Sequence, residues 1–195
     1  MSDPLQALLD EVRACRQCAH SLPMGPRPVL QAGGTARVRI IGQAPGRKVH
    51  ASGIPWDDAS GERLRGWLGL APAEFYDAAK VAILPMGFCY PGRATSGDLP
   101  PRPECARLWH DRLNTHLPQL RLTLLIGRHA QAHYLRGQCR PNLSETLRAW
   151  QDYLPQGFLP LPHPSPRNQP WLAKNAWFID EVLPVARRAV RAALS

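Results

Sequence analysis

Cysteines, a guarded histidine and a pair of carboxylates are the residues of this chain best placed to do chemistry. Cys15 and Cys18 form a C-x2-C pair, and Cys89 and Cys105 follow some seventy residues later as C-x15-C. Thiolates at short spacing hold metal, and zinc satisfies a C-x2-C pair; unlinked core thiols are the plainer reading. Cys139 falls outside the pattern and is expected to be a buried thiol. His163 stands among five prolines in LPLPHPSPRNQPW, residues 159–171. Proline fixes φ and biases the residue before it towards extended geometry, so His163 and Ser165 are expected in a stiff loop. A proline-rich turn whose histidine bonds only locally is the alternative. In GQAPGRKVHASGIPWDDASG, residues 42–61, Gly42 and Gly46 permit a tight turn and close backbone approach to a ligand. Asp57 and Asp58 then precede a helix, where a carboxylate serves either chemistry or a helix cap.

The charge points to a polyanionic partner. The 195 residues carry 24 Lys+Arg against 15 Asp+Glu, a formal charge of +9. Only three of the basic residues are lysines (Lys48, Lys80 and Lys174). Arginine is the better fork for phosphates and base edges, so nucleic acid ranks ahead of membrane. Trp56, fixed behind Pro55, suits stacking on a base, although a core position is the commoner fate of tryptophan. No apolar run approaches the ~18 residues of a membrane span. MSDPLQALLDEVRAC reads as an amphipathic helix without the apolar core of a signal peptide, so a cytoplasmic protein is expected. In a reducing compartment five cysteines favour metal or thiol chemistry over disulfides.

Strands alternating with helices must position these groups. The spacing predicts helices over 4–14, 60–70, 103–117, 128–136 and 144–154, with 171–193 helical in two pieces. ARVRIIG (36–42), KVAILPMGF (80–88), RLTLLIG (121–127) and GFLPLP (157–162) read as strands. Four strands in such alternation predict an α/β fold: a single domain over 1–195, a three-layer α/β/α sandwich around a four-stranded parallel sheet. Ligands of such sheets bind beyond the carboxyl ends of the strands. The loops GQAPG, PMGFC and HPSPRN each follow a strand and should meet at one edge.

GQAPG, then GIPWDDASG, then HPSPRN resemble the motifs of the uracil-DNA glycosylase superfamily, in its order and over nearly the whole chain. GQAPG sits closest to the iron–sulfur branch, which usually has glutamate at its second position. DASG resembles the branch that uses this aspartate, and HPSPRN the single-strand-selective monofunctional branch. The resemblance implies a monofunctional DNA glycosylase of base excision repair, acting as a monomer on DNA with a flipped-out uracil or other deaminated base. It implies a carboxylate, Asp58, that stabilises the sugar cation and orients water, and a donor, His163, for the departing base. Gln43 would hold the base edge or position the water. Gly42, Ala44, Pro45 and Gly46 would supply backbone around the base, and Trp56 its stacking face. Ser165 would grip a phosphate, Arg167 and Asn168 would enter the space the base vacates, and Arg47, Lys48, Arg93 and Arg167 would contact phosphates. Arg167 as an ordinary solvated charge is the alternative. No lysine stands at a nucleophile position, which argues against a lyase step.

The cysteine pattern resembles the ligand set of the iron–sulfur branch, with Cys15, Cys18, Cys89 and Cys105 holding a [4Fe–4S] cluster; zinc is the alternative occupant. One position departs from the family. An asparagine that reads the base edge usually stands four residues before the third cysteine, where this chain has Pro85. Xanthine or hypoxanthine then competes with uracil as the substrate base. Two other readings stand beside the glycosylase: a catalytically weak DNA-binding member of the same fold, and an unrelated cysteine–metal hydrolase of small nucleotides.

Overall fold

The computed structural model describes residues 3–195, so Met1 and Ser2 of the expected 1–195 domain lie outside the described residues. Among the described residues six strands occur in chain order: β1 Val38–Ile41, β2 Val81–Ile83, β3 Arg93–Ala94, β4 Gly97–Asp98, β5 Leu122–Ile126 and β6 Phe158–Leu161. Four of them form an all-parallel sheet in the order β2-β1-β5-β6. Val38 pairs with Val81 on one side and Leu122 on the other, and Ile126 with Leu161. Every residue of β1, β2 and β5 is buried, as a parallel sheet covered on both faces requires.

Alternation along the strands divides the core in two. Val38, Ile40, Leu124 and Leu159 face one layer, packed on Leu64, Trp67 and Leu68 of helix Ala59–Leu68 and on Val182 and Val190 near the C-terminus. Ile41, Ala82 and Leu125 face the other, against Leu8 and Val12 of helix Pro4–Arg13, Trp109, Leu113 and Tyr153. This is the three-layer α/β/α sandwich. Leu124 is fully buried, and truncating such a leucine to alanine costs about 2–5 kcal/mol.

Several local expectations are corrected. The second strand ends at Ile83 instead of running to residue 88. Leu84 donates its amide to the Ile40 carbonyl and Met86 to the Gly42 carbonyl, each at 2.9 Å, so bonding to the β1 side goes on past the strand. Pro85 between them has no amide for the other edge, where Ile83 meets Gln31. Residues Arg47–Ser52, expected as loop, form a short helix that ends in Gly53 at φ 75°. The helix expected over 60–70 starts at Ala59 and is capped by Asp58. The helix over 103–117 contains a π-helical segment, Ala106–His110, and the one over 144–154 divides into Leu143–Arg148 and Trp150–Tyr153. β3 and β4, unforeseen, pair as a two-residue hairpin. Cys139 is half-buried, not buried.

Candidate active site and cysteine cavity

The loops after β1, β2 and β6 converge at the carboxyl edge of the sheet. Met86 donates its amide to the Gly42 carbonyl at 2.9 Å and Gly87 to Gln43 at 3.0 Å, stitching the first two loops together. The pocket they surround has a volume of about 460 Å³, within the usual range for small-molecule sites. Gly42, Gln43, Ala44, Pro45 and Gly46 form one wall, Trp56 and Asp58 another. His163, Ser165, Arg167 and Asn168 close the third side, and Pro85 also reaches the lining.

Glycines set the place of Trp56. A Cβ on Gly42 would come within 2.9 Å of its Cζ2, and one on Gly61 within 1.7 Å of its carbonyl oxygen. Trp56 itself has φ 58°, a left-handed conformation that costs a non-glycine residue energy and is held here by its neighbours. Its carbonyl accepts from Arg65 Nη1 and Tyr76 OH, each at 3.4 Å. The indole is half-buried, neither core nor free surface, with its ring centroid 5.6 Å from that of His163.

Asp58 has two duties available. Its Oδ1 accepts from the Gly61 amide at 2.9 Å and caps the helix. Its Oδ2 faces the glycine loop, 3.9 Å from where a Cβ on Gly46 would stand. His163 is half-buried, and its Nδ1 accepts from the Ser165 amide at 3.2 Å. A backbone amide can only donate, so the neutral ring carries its proton on Nε2. Burial lowers the pKa of His163, and the charge of Asp58 opposes that shift. A neutral imidazole with a fixed Nε2–H is a donor. Asn168 does not hang free: its Nδ2 donates to the His163 carbonyl at 2.7 Å and braces the loop. Ser165 likewise uses its Oγ to accept from the Arg167 amide, at 3.3 Å.

Arg47, Lys48 and Arg93 lie outside the lining, exposed on the short helix and the hairpin beside the mouth. Two features escaped the sequence reading. The hairpin adds Ser96, Asp98 and Leu99 to the lining. The signal was the short turn TSGD between Arg93 and Leu99, where glycine takes φ 101°. The second is a buried network behind Pro85. His110 is fully buried, and its Nε2 donates to the Pro85 carbonyl at 3.1 Å. Its Nδ1 must then accept from Tyr134 OH, at 2.7 Å. Burial holds His110 neutral, with its pKa down to about 4. No periodicity marks such a pair.

The four cysteines meet. Cys15, Cys18, Cys89 and Cys105 line one small cavity, with Phe88, Arg102 and Trp109 around them. Burial pushes the Cys89 thiol up to about 11 and Cys105 to about 12, with neighbouring thiols adding to both. A positive metal centre would relieve that cost, because thiolates are the ligating form. Two donors here lack acceptors: Nε1 of Trp109 and Nε of Arg102 are buried without a hydrogen bond. Orphan N–H groups beside four thiols fit a group that carries sulfur or negative charge. Among the described residues no group of three or more His, Cys, Asp or Glu side chains is drawn together as a single metal ion requires. A cubane spreads its four thiolates over four irons and makes no such demand.

No helix among the described residues is long and apolar enough to cross a membrane. The family model described as the uracil DNA glycosylase superfamily matches residues 31–187, spanning the sheet, the pocket loops and the final helices. That family acts on DNA with a uracil-DNA glycosylase-like function, in keeping with the charge of +9. With a parallel sheet whose edge carries GQAPG, Asp58 and the His163 loop in one pocket, the chain belongs to the uracil DNA glycosylase superfamily.

Proposed function

We propose that this chain is a monofunctional DNA glycosylase that hydrolyses the N-glycosidic bond of uracil or another deaminated base flipped out of DNA. The observation that carries this reading is the convergence of Asp58, Trp56 and His163 in one pocket at the carboxyl edge of the sheet. Breaking the bond leaves positive charge on the sugar and negative charge on the base. The Oδ2 of Asp58 answers the first and Nε2–H of His163 the second, while Trp56 stacks on the flipped ring and Gln43 meets its edge. The pocket lining holds no lysine among the described residues, in keeping with hydrolysis without a Schiff base. Ser165, Arg167 and Asn168 stand at the mouth to receive the flanking strand, with Arg47, Lys48 and Arg93 outside it.

Cys15, Cys18, Cys89 and Cys105 would hold a [4Fe–4S] cluster, whose task is to tie the N-terminal helix to the loops after β2. Features of three branches combine: the cysteines of the iron–sulfur branch, Asp58 of the DASG branch, and HPSPRN of the single-strand-selective branch. A second reading, a catalytically weak DNA-binding protein, is favoured by one observation. Pro85 has no amide, and its carbonyl is already bonded to His110, so the usual base-reading position contributes nothing free.

Incubation with oligonucleotides carrying uracil, hypoxanthine or xanthine, followed by alkali, tests the proposal. Strand breaks at the modified base are expected. Binding to all three without base release would leave the second reading standing.

A further inference from the structure

Asp98 entered the pocket unannounced. It sits on β4, pairs across the hairpin with Arg93, and lines the same pocket as Asp58 and His163. Its Oδ2 lies 3.6 Å from where a Cβ on Gly46 would stand, and Oδ2 of Asp58 lies 3.9 Å from the same point. Two carboxylate oxygens, one from the cap of the helix Ala59–Leu68 and one from β4, thus come close to one glycine. A side chain there would fill the space between them.

Their surroundings differ. Asp58 spends Oδ1 on the Gly61 amide, which fixes its direction. Asp98 is exposed at the rim as a residue, yet partial desolvation of its carboxyl, helped by the charge of Asp58, raises its pKa. Arg167 from the loop after β6 and Arg93 from β3 pull it down by charge. A more basic carboxylate is the better proton acceptor, and the paired-carboxylate logic of glycoside hydrolysis gives one member the cation and the other the water.

We propose that Asp98 is the general base of the reaction, holding the attacking water over Gly46 while Asp58 stabilises the sugar cation. The water oxygen bonds to the anomeric carbon, and its proton passes to the Asp98 carboxylate. The electrons of the glycosidic bond leave with the base, whose anion accepts from His163. This assignment rests on the glycosylase reading and divides between two residues what one was expected to do.

Single-turnover base release tests it, with Asp98→Asn and Asp98→Ala beside the unaltered protein, and with thermal melting and abasic-oligonucleotide binding as controls. Asp98→Asn should slow release by at least ~10²-fold, with melting and binding unchanged. The unaltered rate should rise with pH through the titration of Asp98, and Asp98→Asn should lose that rise. Azide, a nucleophile with no proton to remove, should restore release to Asp98→Ala and leave an azido sugar. Normal rates in both variants would overturn the assignment. So would a slow Asp98→Ala that azide cannot restore and whose pH profile is unchanged, since that describes a residue that only shapes the rim. An unaltered protein that releases no base from any of the three oligonucleotides would take down the glycosylase reading, and this role with it.

Discussion

The pocket beside His163 is wide and open, while the cavity between the cysteines is narrow and lined by sulfur, proline and aromatic carbon. The pocket is finished by its own loops. Backbone amides tie down Asp58 and His163, and the side chains of Arg65 and Tyr76 hold the Trp56 carbonyl. The cavity is unfinished: the Cys89 and Cys105 thiols are pushed up by burial and two of its donors have no acceptor. Preorganised donors and charges need no rearrangement to act on a substrate. A buried cluster of unpaired donors and raised thiols instead fits the resident group proposed above. The comparison therefore supports the proposed catalysis in one region and the proposed cohesive role in the other.

The largest effect should come from emptying the cavity. Anaerobically purified protein is expected to be brown, with about four irons per chain, as a cubane held by four thiolates requires. Cys105→Ser should lose the colour and melt far lower, because metal-coupled folding energies reach ~10 kcal/mol in small metal domains. Cys139→Ser, half-buried and outside the cavity, should retain both iron and stability. Stoichiometric zinc without iron would keep the cohesive role and change its chemistry. A full complement of iron in the Cys105→Ser protein would break the comparison.

His110 gives the next effect, in the wall between the two regions. It shares a helical segment with Trp109, which lines the cavity, while its own ring holds Pro85, which lines the pocket. Its folded pKa lies near 4 against 6.5 for an ordinary histidine. Between those values the unfolded chain takes up a proton that the folded chain refuses. Stability is therefore complete above about pH 6.5 and falls towards pH 4, by roughly 3 kcal/mol. Urea unfolding across that window should show the decline, and His110→Gln should flatten it. An equal slope in both proteins would mean that His110 is accessible to protons in the folded state.

How far the sequence carried depended on where each signal lay. The parallel sheet was legible because β1 and β5 are mainly apolar, β-branched or leucine runs, broken only by Arg39 and Thr123, between turn residues, and the order of the motif loops placed them at one edge. GQAPG and HPSPRN were legible because glycine frees the backbone and proline fixes it locally, whatever surrounds them. Pro85 was visible as a residue but not as the end of a strand, since its effect is a missing hydrogen bond to a neighbour. Asp98 was hidden because a two-residue hairpin has no periodicity, and its closeness to Asp58 spans forty residues of chain. His110 was hidden for a related reason: its partners Tyr134 and Pro85 are remote, and a histidine in a helix has no pattern of its own.

Asp58 sharpens the pocket side of the comparison. Asp58→Asn can still accept from the Gly61 amide, so the helix cap should survive while the charge is lost. Single-turnover release is then expected to fall by at least ~10²-fold, with little change in binding to abasic DNA. A variant that melts lower and cleaves normally would return Asp58 to a cap, a role worth about 0.5–2 kcal/mol, and move attention to Gln43.

The smallest effect tests the rim. Arg167 stands exposed at the mouth, its Nη1 2.6 Å from where a Cβ on Gly97 would stand, so it reaches over the hairpin turn. A guanidinium held there meets phosphate as a fixed fork, and each phosphate neutralised releases counterions. DNA affinity should fall steeply with salt. Arg167→Ala should weaken binding to every sequence by a similar factor and reduce the slope of log K against log salt by about 1. Arg47→Ala and Lys48→Ala, exposed on the neighbouring helix, should act the same way if the strand runs along that side of the mouth. A slope unchanged in Arg167→Ala would assign the side chain to bracing the hairpin, where its charge also moderates Asp98. In that case the variant should instead shift the pH at which base release rises, moving it upward as the favourable charge beside Asp98 is removed.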